Sequence, residues 1–238
     1  MPKVFNVQNF STGDGKGIRT TVFLNGCNLH CPWCHNPECF NSKKEVSTEE
    51  IMEKILHDKA YYEMSGGGVT LSGGEPLLRF NECTELMETI KKQDLHISLD
   101  TALCVKIPDF DKLTSLVDTF LVDLKTMDKE KMEFVIGGNL EQYCTNVSEL
   151  KKRNAEVVFR LPLIPGFNTD DKSIEENAAF INQYGYKASF HPFHRMGSSK
   201  YKELGMDYLY KDTPLLTKEE VAAIKAKYFA LGVTEANL

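Results

Sequence analysis

No long basic run occurs in the sequence, so nothing in it marks a nucleic-acid surface. No stretch reaches the roughly 18 apolar residues that a membrane-spanning helix needs. The opening residues Met1–Asn6 lack the apolar core of a signal peptide, so no secretion is expected. No linker, repeat or low-complexity segment divides the chain, and a single domain over residues 1–238 is expected. The seven cysteines are an odd number and follow no disulfide-scaffold spacing, which points to a reducing cytoplasmic compartment.

What is present suits an α/β enzyme. Hydrophobic residues make up 42%, enough for a full core, and the net charge is −6. Cys83, Cys104 and Cys144 stand alone on apolar stretches and read as small buried hydrophobes. Cys39 follows the other cysteines without companions that would build a second cluster. The remaining three are concentrated in Gly26-Cys27-Asn28-Leu29-His30-Cys31-Pro32-Trp33-Cys34-His35-Asn36, spaced C-x3-C-x2-C. A structural zinc site closes with four ligands, and His30 or His35 could complete one here. An iron–sulfur cubane held by only three thiolates keeps one iron open to a small ligand, and one tight loop can reach three of its corners. Trp33, between two of the cysteines, would limit solvent access to whatever they hold.

Apolar strand patterns alternate with helical ones. Strands are expected at Thr20–Asn25, Val69–Ser72, His96–Asp100, Phe120–Leu124, Val157–Leu161 and Ala188–His191. Ser47-Thr48-Glu49-Glu50 and Thr217-Lys218-Glu219-Glu220 read as capping boxes. Cys83, Leu86, Met87 and Ile90 form a helical stripe. About six strands in parallel βα units result, fewer than the eight of a closed barrel of about 250 residues.

Nearly every strand ends on polar residues, as expected where chemistry sits at the C-terminal rim. Gly73-Gly74-Glu75-Pro76 is either a site for close ligand approach or an ordinary strand-to-helix turn. Asp123 and Lys125 are a surface ion pair or groups at the barrel mouth. Arg160, inside an apolar strand, needs an anionic partner from a ligand or a nearby Asp or Glu. His194 by itself would be structural more often than functional. Asp14, in a glycine-rich loop, could be a turn aspartate.

The cysteine loop resembles the cluster loop of the radical S-adenosylmethionine (radical SAM) superfamily. Phe10–Arg19, Phe23–Cys27 and the Trp33-Cys34-His35-Asn36-Pro37-Glu38 run resemble the start of glycyl-radical-enzyme activating enzymes of the formate-lyase-activating type. The resemblance implies a partial (β/α)6 barrel, one [4Fe–4S] cluster on Cys27, Cys31 and Cys34, and S-adenosylmethionine on the open iron. It implies cofactor contacts from Trp33, His35, Gly73, Gly74, Glu75, Asp100, Asp123, Lys125, Arg160 and His194, with Lys125 also catalytic. It further implies a monovalent cation near Asp100, Thr101 and Asp123, and Asp14 facing the glycine segment of a partner glycyl radical enzyme. A flavodoxin or ferredoxin electron donor and a monomeric state complete the expectation.

Three departures stand out. A ferredoxin-like insert is missing after the first loop, Leu103 replaces a glycine of the family, and Met132 stands near a usual histidine. A radical SAM enzyme for a small molecule, and a non-enzymatic zinc- or cluster-binding module, remain the alternatives.

Overall fold

A computed structural model describes residues 3–43 and 45–237. Met1, Pro2, Lys44 and Leu238 lie outside the described residues, and with them the first two residues of the Met1–Asn6 stretch and both ends of the expected domain. Seven strands form one sheet in chain order: β1 Val4–Ser11, β2 Arg19–Leu24, β3 Gly68–Gly73, β4 Ile97–Thr101, β5 Thr119–Asp123, β6 Val157–Leu163 and β7 Lys187–Pro192. From β2 to β7 all pairings are parallel, which gives the six expected βα units. The ladder ends at β1 and β7, so the sheet is an open, partial barrel.

β1 was not expected. It pairs antiparallel with β2, from Val4 opposite Leu24 to Ser11 opposite Arg19. Its register slips between Gln8 and Ser11, where Phe10 takes a φ of +58°. This edge strand carries Asn6, Gln8 and Asn9 between its apolar residues, which dilutes the strand pattern. Its presence moves Asp14 from a leading loop to the connection between two paired strands.

The helices cover the outer face. Thr48–His57, Phe80–Lys91, Leu140–Lys152 and Asp171–Tyr184 each bury an apolar stripe against the sheet. Cys83, Leu86, Met87 and Ile90 are all at most 1% exposed, as the spacing predicts. Thr217 and Glu220 form the full capping box of helix Lys218–Ala230, whereas for Ser47 the bond present is the one it accepts from Glu50 N. β2 and β3 are buried along almost their whole length, as strands covered on both faces must be.

Leu103 keeps a conformation that suits glycine, with φ +56°. Its side chain is fully buried, its N–H donates to Thr101 Oγ1 at 2.9 Å, and its carbonyl accepts from Asn146 Nδ2 at 2.8 Å. Burial of a leucine, worth about 2 kcal/mol, offsets the roughly 1–2 kcal/mol cost of the backbone. Met132 is also buried, in the wall of the core near Gly138 and Cys104, and does not line the central cavity.

Candidate active site

The loop after β2 is held by its own backbone and by two anchors. Gly26 N donates to Cys39 O (2.8 Å), His30 N to Ile136 O (2.9 Å) and Cys34 N to Cys31 O (3.0 Å). Leu29 and Trp33 sink into the core at 2% and 5% exposure. With these side chains turned inward, Cys27, Cys31 and Cys34 line one cavity of about 690 Å³ at the C-terminal ends of the strands. Backbone N–H groups already point at two of the sulfurs, Leu29 N at Cys27 Sγ and Asn36 N at Cys34 Sγ, each at 3.4 Å. Burial pushes the Cys27 thiol up to about 12 and Cys31 to about 11, and raises Cys34 as well. Burial thus favours the protonated thiols, and a metal binding here would have to displace their protons.

His30 lies outside the cavity, stacked on Phe40, and His35 Nε2 faces the His194 carbonyl at 3.1 Å. Neither stands ready as a fourth ligand to close a tetrahedral site. Cys39 also lines the cavity, almost completely buried, with its thiol pushed up by burial.

Five further strands bring polar groups to the same space. From β4, Asp100 Oδ2 accepts from Ser72 Oγ at 2.7 Å and stands 3.1 Å from Arg160 Nη1 of β6. From β5, Asp123 pairs with Lys125. Burial raises Asp100, and the pull of Arg160 does not fully reverse it; Asp123 is buried too, but Lys125 and Arg160 hold it below the usual range. Lys125 is raised, because Asp123 outweighs its desolvation. Asp14 Oδ1 lies 3.9 Å from Arg160 Nη1, and its other oxygen accepts from the Ser11 and Thr21 hydroxyls. Asp14 is thus an inward-facing carboxylate of the cavity, not a solvated turn residue.

Two buried polar atoms of the described residues that line the cavity lack hydrogen bonds: Arg160 Nη1, close to Asp100 but misdirected for a bond, and His194 Nδ1. Such atoms are costly unless a ligand satisfies them. The His194 ring stacks on His35 at 4.1 Å between centroids. Trp33 packs against Phe167 at 4.5 Å and Tyr210 at 5.5 Å, closing the loop from outside.

The Gly73-Gly74-Glu75 turn is explained by packing on the cysteine loop. A Cβ on Gly73, whose φ is +116°, would lie 2.4 Å from Leu24 N, and one on Gly74 would lie 2.0 Å from Gly26 O. Both glycines also line the cavity. Glu75, expected at the ligand, does not line it. It is 1% exposed and accepts from Leu77 N (3.1 Å), Thr101 Oγ1 (2.7 Å) and Ala102 N (2.8 Å), tying the end of β3 to that of β4. Burial raises it to about 7. In Glu75→Gln the amide NH2 can avoid one donor only by facing another. The variant is expected to lose about 1–3 kcal/mol in denaturant unfolding while keeping its ligand affinity. Unchanged stability with lost affinity would return Glu75 to the ligand. Thr101, expected near a cation, likewise spends its hydroxyl on Glu75 and Leu103 N.

Several residues in or beside the cavity were given no role by the sequence reading. Asn36 Nδ2 donates to Gly73 O at 3.0 Å, and His191 faces Ser189 Oγ at 2.9 Å. Lys200 Nζ donates to His35 O and Tyr201 OH to Cys34 O, both at 2.9 Å. Asn36 and His191 adjoin recognisable motifs. Lys200 and Tyr201 follow the last strand and reach the loop only because the chain folds back.

The sequence profile of the Radical SAM superfamily matches residues 21–178. The chain is 30% identical to the pyruvate formate-lyase-activating enzyme of Clostridium pasteurianum, over 92% of this chain and 94% of that protein. It is 29% identical to the benzylsuccinate synthase activating enzyme of Thauera aromatica, over 98% and 92%. It is 30% identical to the (2S)-3-sulfopropanediol dehydratase activating enzyme of Klebsiella oxytoca, over 88% and 87%. In fold it is similar to a radical SAM methyltransferase from Sphaerobacter thermophilus, with a TM-score of 0.66 at 17% identity, over 99% of this chain and 77% of that one. A domain of a pyruvate-formate lyase-activating enzyme from Bacteroides vulgatus gives a TM-score of 0.59 at 22% identity, over 71% and 98%.

Proposed function

The chain belongs to the radical SAM superfamily, and from that premise we propose that it activates a partner glycyl radical enzyme by removing hydrogen from a backbone glycine. The observation that carries this reading is that Cys27, Cys31 and Cys34 of one short loop turn together into a cavity that six strands line with polar groups. A [4Fe–4S] cluster with S-adenosylmethionine, when bound, supplies one-electron cleavage to methionine and a 5′-deoxyadenosyl radical.

The chain's own residues do the rest. Cys27, Cys31 and Cys34 hold the cluster, and the Leu29 and Asn36 amides stabilise charge on two of the sulfurs. Arg160 and Lys125 offer positive charge to the cofactor's carboxylate, with Asp100 and Asp123 fixing both cations in place. His194, whose Nδ1 lacks a hydrogen bond, would offer it to the ribose, and stacking keeps the His35 and His194 rings in register. The Gly73 and Gly74 backbone, which lines the cavity, would border the amino group. Trp33 excludes water and oxygen. Asp14 meets the partner's glycine segment, which has to leave its own fold to arrive there. A monovalent cation among Asp100, Thr101 and Asp123 would have to share Asp100 with Arg160, Asp123 with Lys125 and the Thr101 hydroxyl with Glu75 and Leu103 N. Glu75 positions the turn and β4.

No helix among the described residues is long and apolar enough to cross a membrane. A cytoplasmic monomer, reduced by flavodoxin or ferredoxin, fits the reading. The test is anaerobic incubation of reconstituted protein and S-adenosylmethionine with pyruvate formate-lyase, benzylsuccinate synthase and sulfopropanediol dehydratase in turn. An oxygen-sensitive glycyl radical signal in electron paramagnetic resonance is expected with one of them. Methionine release with no partner radical in any would favour a small-molecule substrate instead.

A further inference from the structure

Arg19 opens β2 and is 0% exposed, one of the largest side chains in the interior. No carboxylate pairs with it among the described residues. Its Nε donates to Thr70 Oγ1 at 2.6 Å, its Nη1 to Lys16 O at 3.0 Å, and its Nη2 to Val69 O at 2.6 Å, with His96 Nδ1 at 3.2 Å. Every partner is neutral. An unpaired buried charge costs stability, so burial of this kind needs a reason beyond filling space.

The bonds run in one direction. Thr70 Oγ1 accepts from Arg19 and donates onward to the Asp14 carbonyl at 2.7 Å. Arg19 also binds Lys16 O, two residues beyond Asp14. The connection between β1 and β2 is pressed onto the guanidinium. A Cβ on Gly15, whose φ is +122°, would lie 3.1 Å from Arg19 Cδ, and one on Gly17, φ +72°, would lie 2.6 Å from Gly67 N. The Asp14 and Lys16 carbonyls, one on either side of Gly15, are therefore both tied to the barrel interior, and the Asp14 side chain beside these anchors lines the cavity.

We propose that Arg19 is a positioning residue for recognition of the partner's glycine segment, holding Asp14 at the cavity through the Thr70 hydroxyl and the Lys16 carbonyl. The proposal rests on the reading of Asp14 given above. Arg19 touches neither cofactor nor substrate. Its loss should therefore weaken partner recognition and leave cofactor binding intact.

The test uses the reconstituted holoenzyme with the glycyl radical enzyme that the unmodified chain activates in the panel above. Thr70→Val removes the connecting hydroxyl with little change of shape. Arg19→Lys keeps the charge but loses the fork. Each is expected to speed amide hydrogen exchange in residues 12–18 and to raise KM for the partner by about fivefold or more, the loss of one hydrogen bond. kcat and the Kd for S-adenosylmethionine should change less than about twofold. Should both variants fold yet leave exchange and KM unchanged while Asp14→Asn raises KM, Arg19 is not the positioner. An equal rise in the S-adenosylmethionine Kd would show a general defect and also overturn the proposal. If Asp14→Asn itself leaves KM unchanged, the role of Asp14 falls, and the proposal with it. Faster exchange in 12–18 would still mark that failure as one of the reading rather than of the Arg19 tether.

Discussion

Cys31→Ala is expected to bind no intact [4Fe–4S] cluster and to cleave S-adenosylmethionine more than about 100-fold more slowly than the unmodified protein. Groups that merely orient a metal ligand are worth about 10–100-fold, so loss of a ligand should exceed that. Cys27→Ala and Cys34→Ala should behave alike, because the three thiols share one loop and one cavity. Cys39→Ser is the control. Cys39 lines the same cavity but is 3% exposed and packed against Gly74, and its loss should leave cluster content unchanged. Iron and sulfide analysis with electron paramagnetic resonance of the reduced protein checks both. Full cluster content in Cys31→Ala, or loss in Cys39→Ser, would show that the ligand set is misassigned. One zinc per chain without sulfide in the unmodified protein would end the enzyme reading.

Arg160→Met is expected to raise the Kd for S-adenosylmethionine by about 150–5,000-fold. Removing one partner from a buried charge network costs about 3–5 kcal/mol, because the remaining charges lose their compensation. Here three carboxylates, Asp14, Asp100 and Asp123, would face Lys125 as the one remaining cation among these groups. The pH dependence has a definite sign. Burial already raises Asp100, and removing Arg160 raises it further. A group whose folded pKa lies above its unfolded value contributes stability below the unfolded pKa and loses it as pH rises through the folded one. The stability gap between Arg160→Met and the unmodified protein should therefore widen as pH rises above the ordinary aspartate range. Isothermal titration with S-adenosylmethionine and denaturant unfolding at acid and neutral pH test the two parts. An unchanged Kd would remove Arg160 from the cofactor site.

How much of this was legible beforehand depended on the range of the interaction. The six parallel strands and their helices follow from apolar periodicity, which is local. β1 escaped because an edge strand tolerates polar residues on its open side, so its pattern is weak. Glu75 illustrates the opposite error. A motif beside a ligand site suggests contact, but its carboxylate is consumed by Leu77, Thr101 and Ala102 from neighbouring turns. Arg19 lay just before the expected strand Thr20–Asn25 with no role of its own, and it opens β2 buried beneath the loop before it.

By itself the sequence determined the donor chemistry: three thiols within one short loop, and one polar residue or more at each strand end. Side-chain type and short spacing suffice for that, since a loop of this length can carry its cysteines nowhere but to one place. Tertiary structure alone decided the pairing. It set Arg160 against Asp100 and Asp14, brought Lys200 and Tyr201 back over the cysteine loop, and turned Asp14 inward above Arg19. Those contacts join residues far apart in the chain. They exist only because parallel winding gathers the same end of every strand around one cavity.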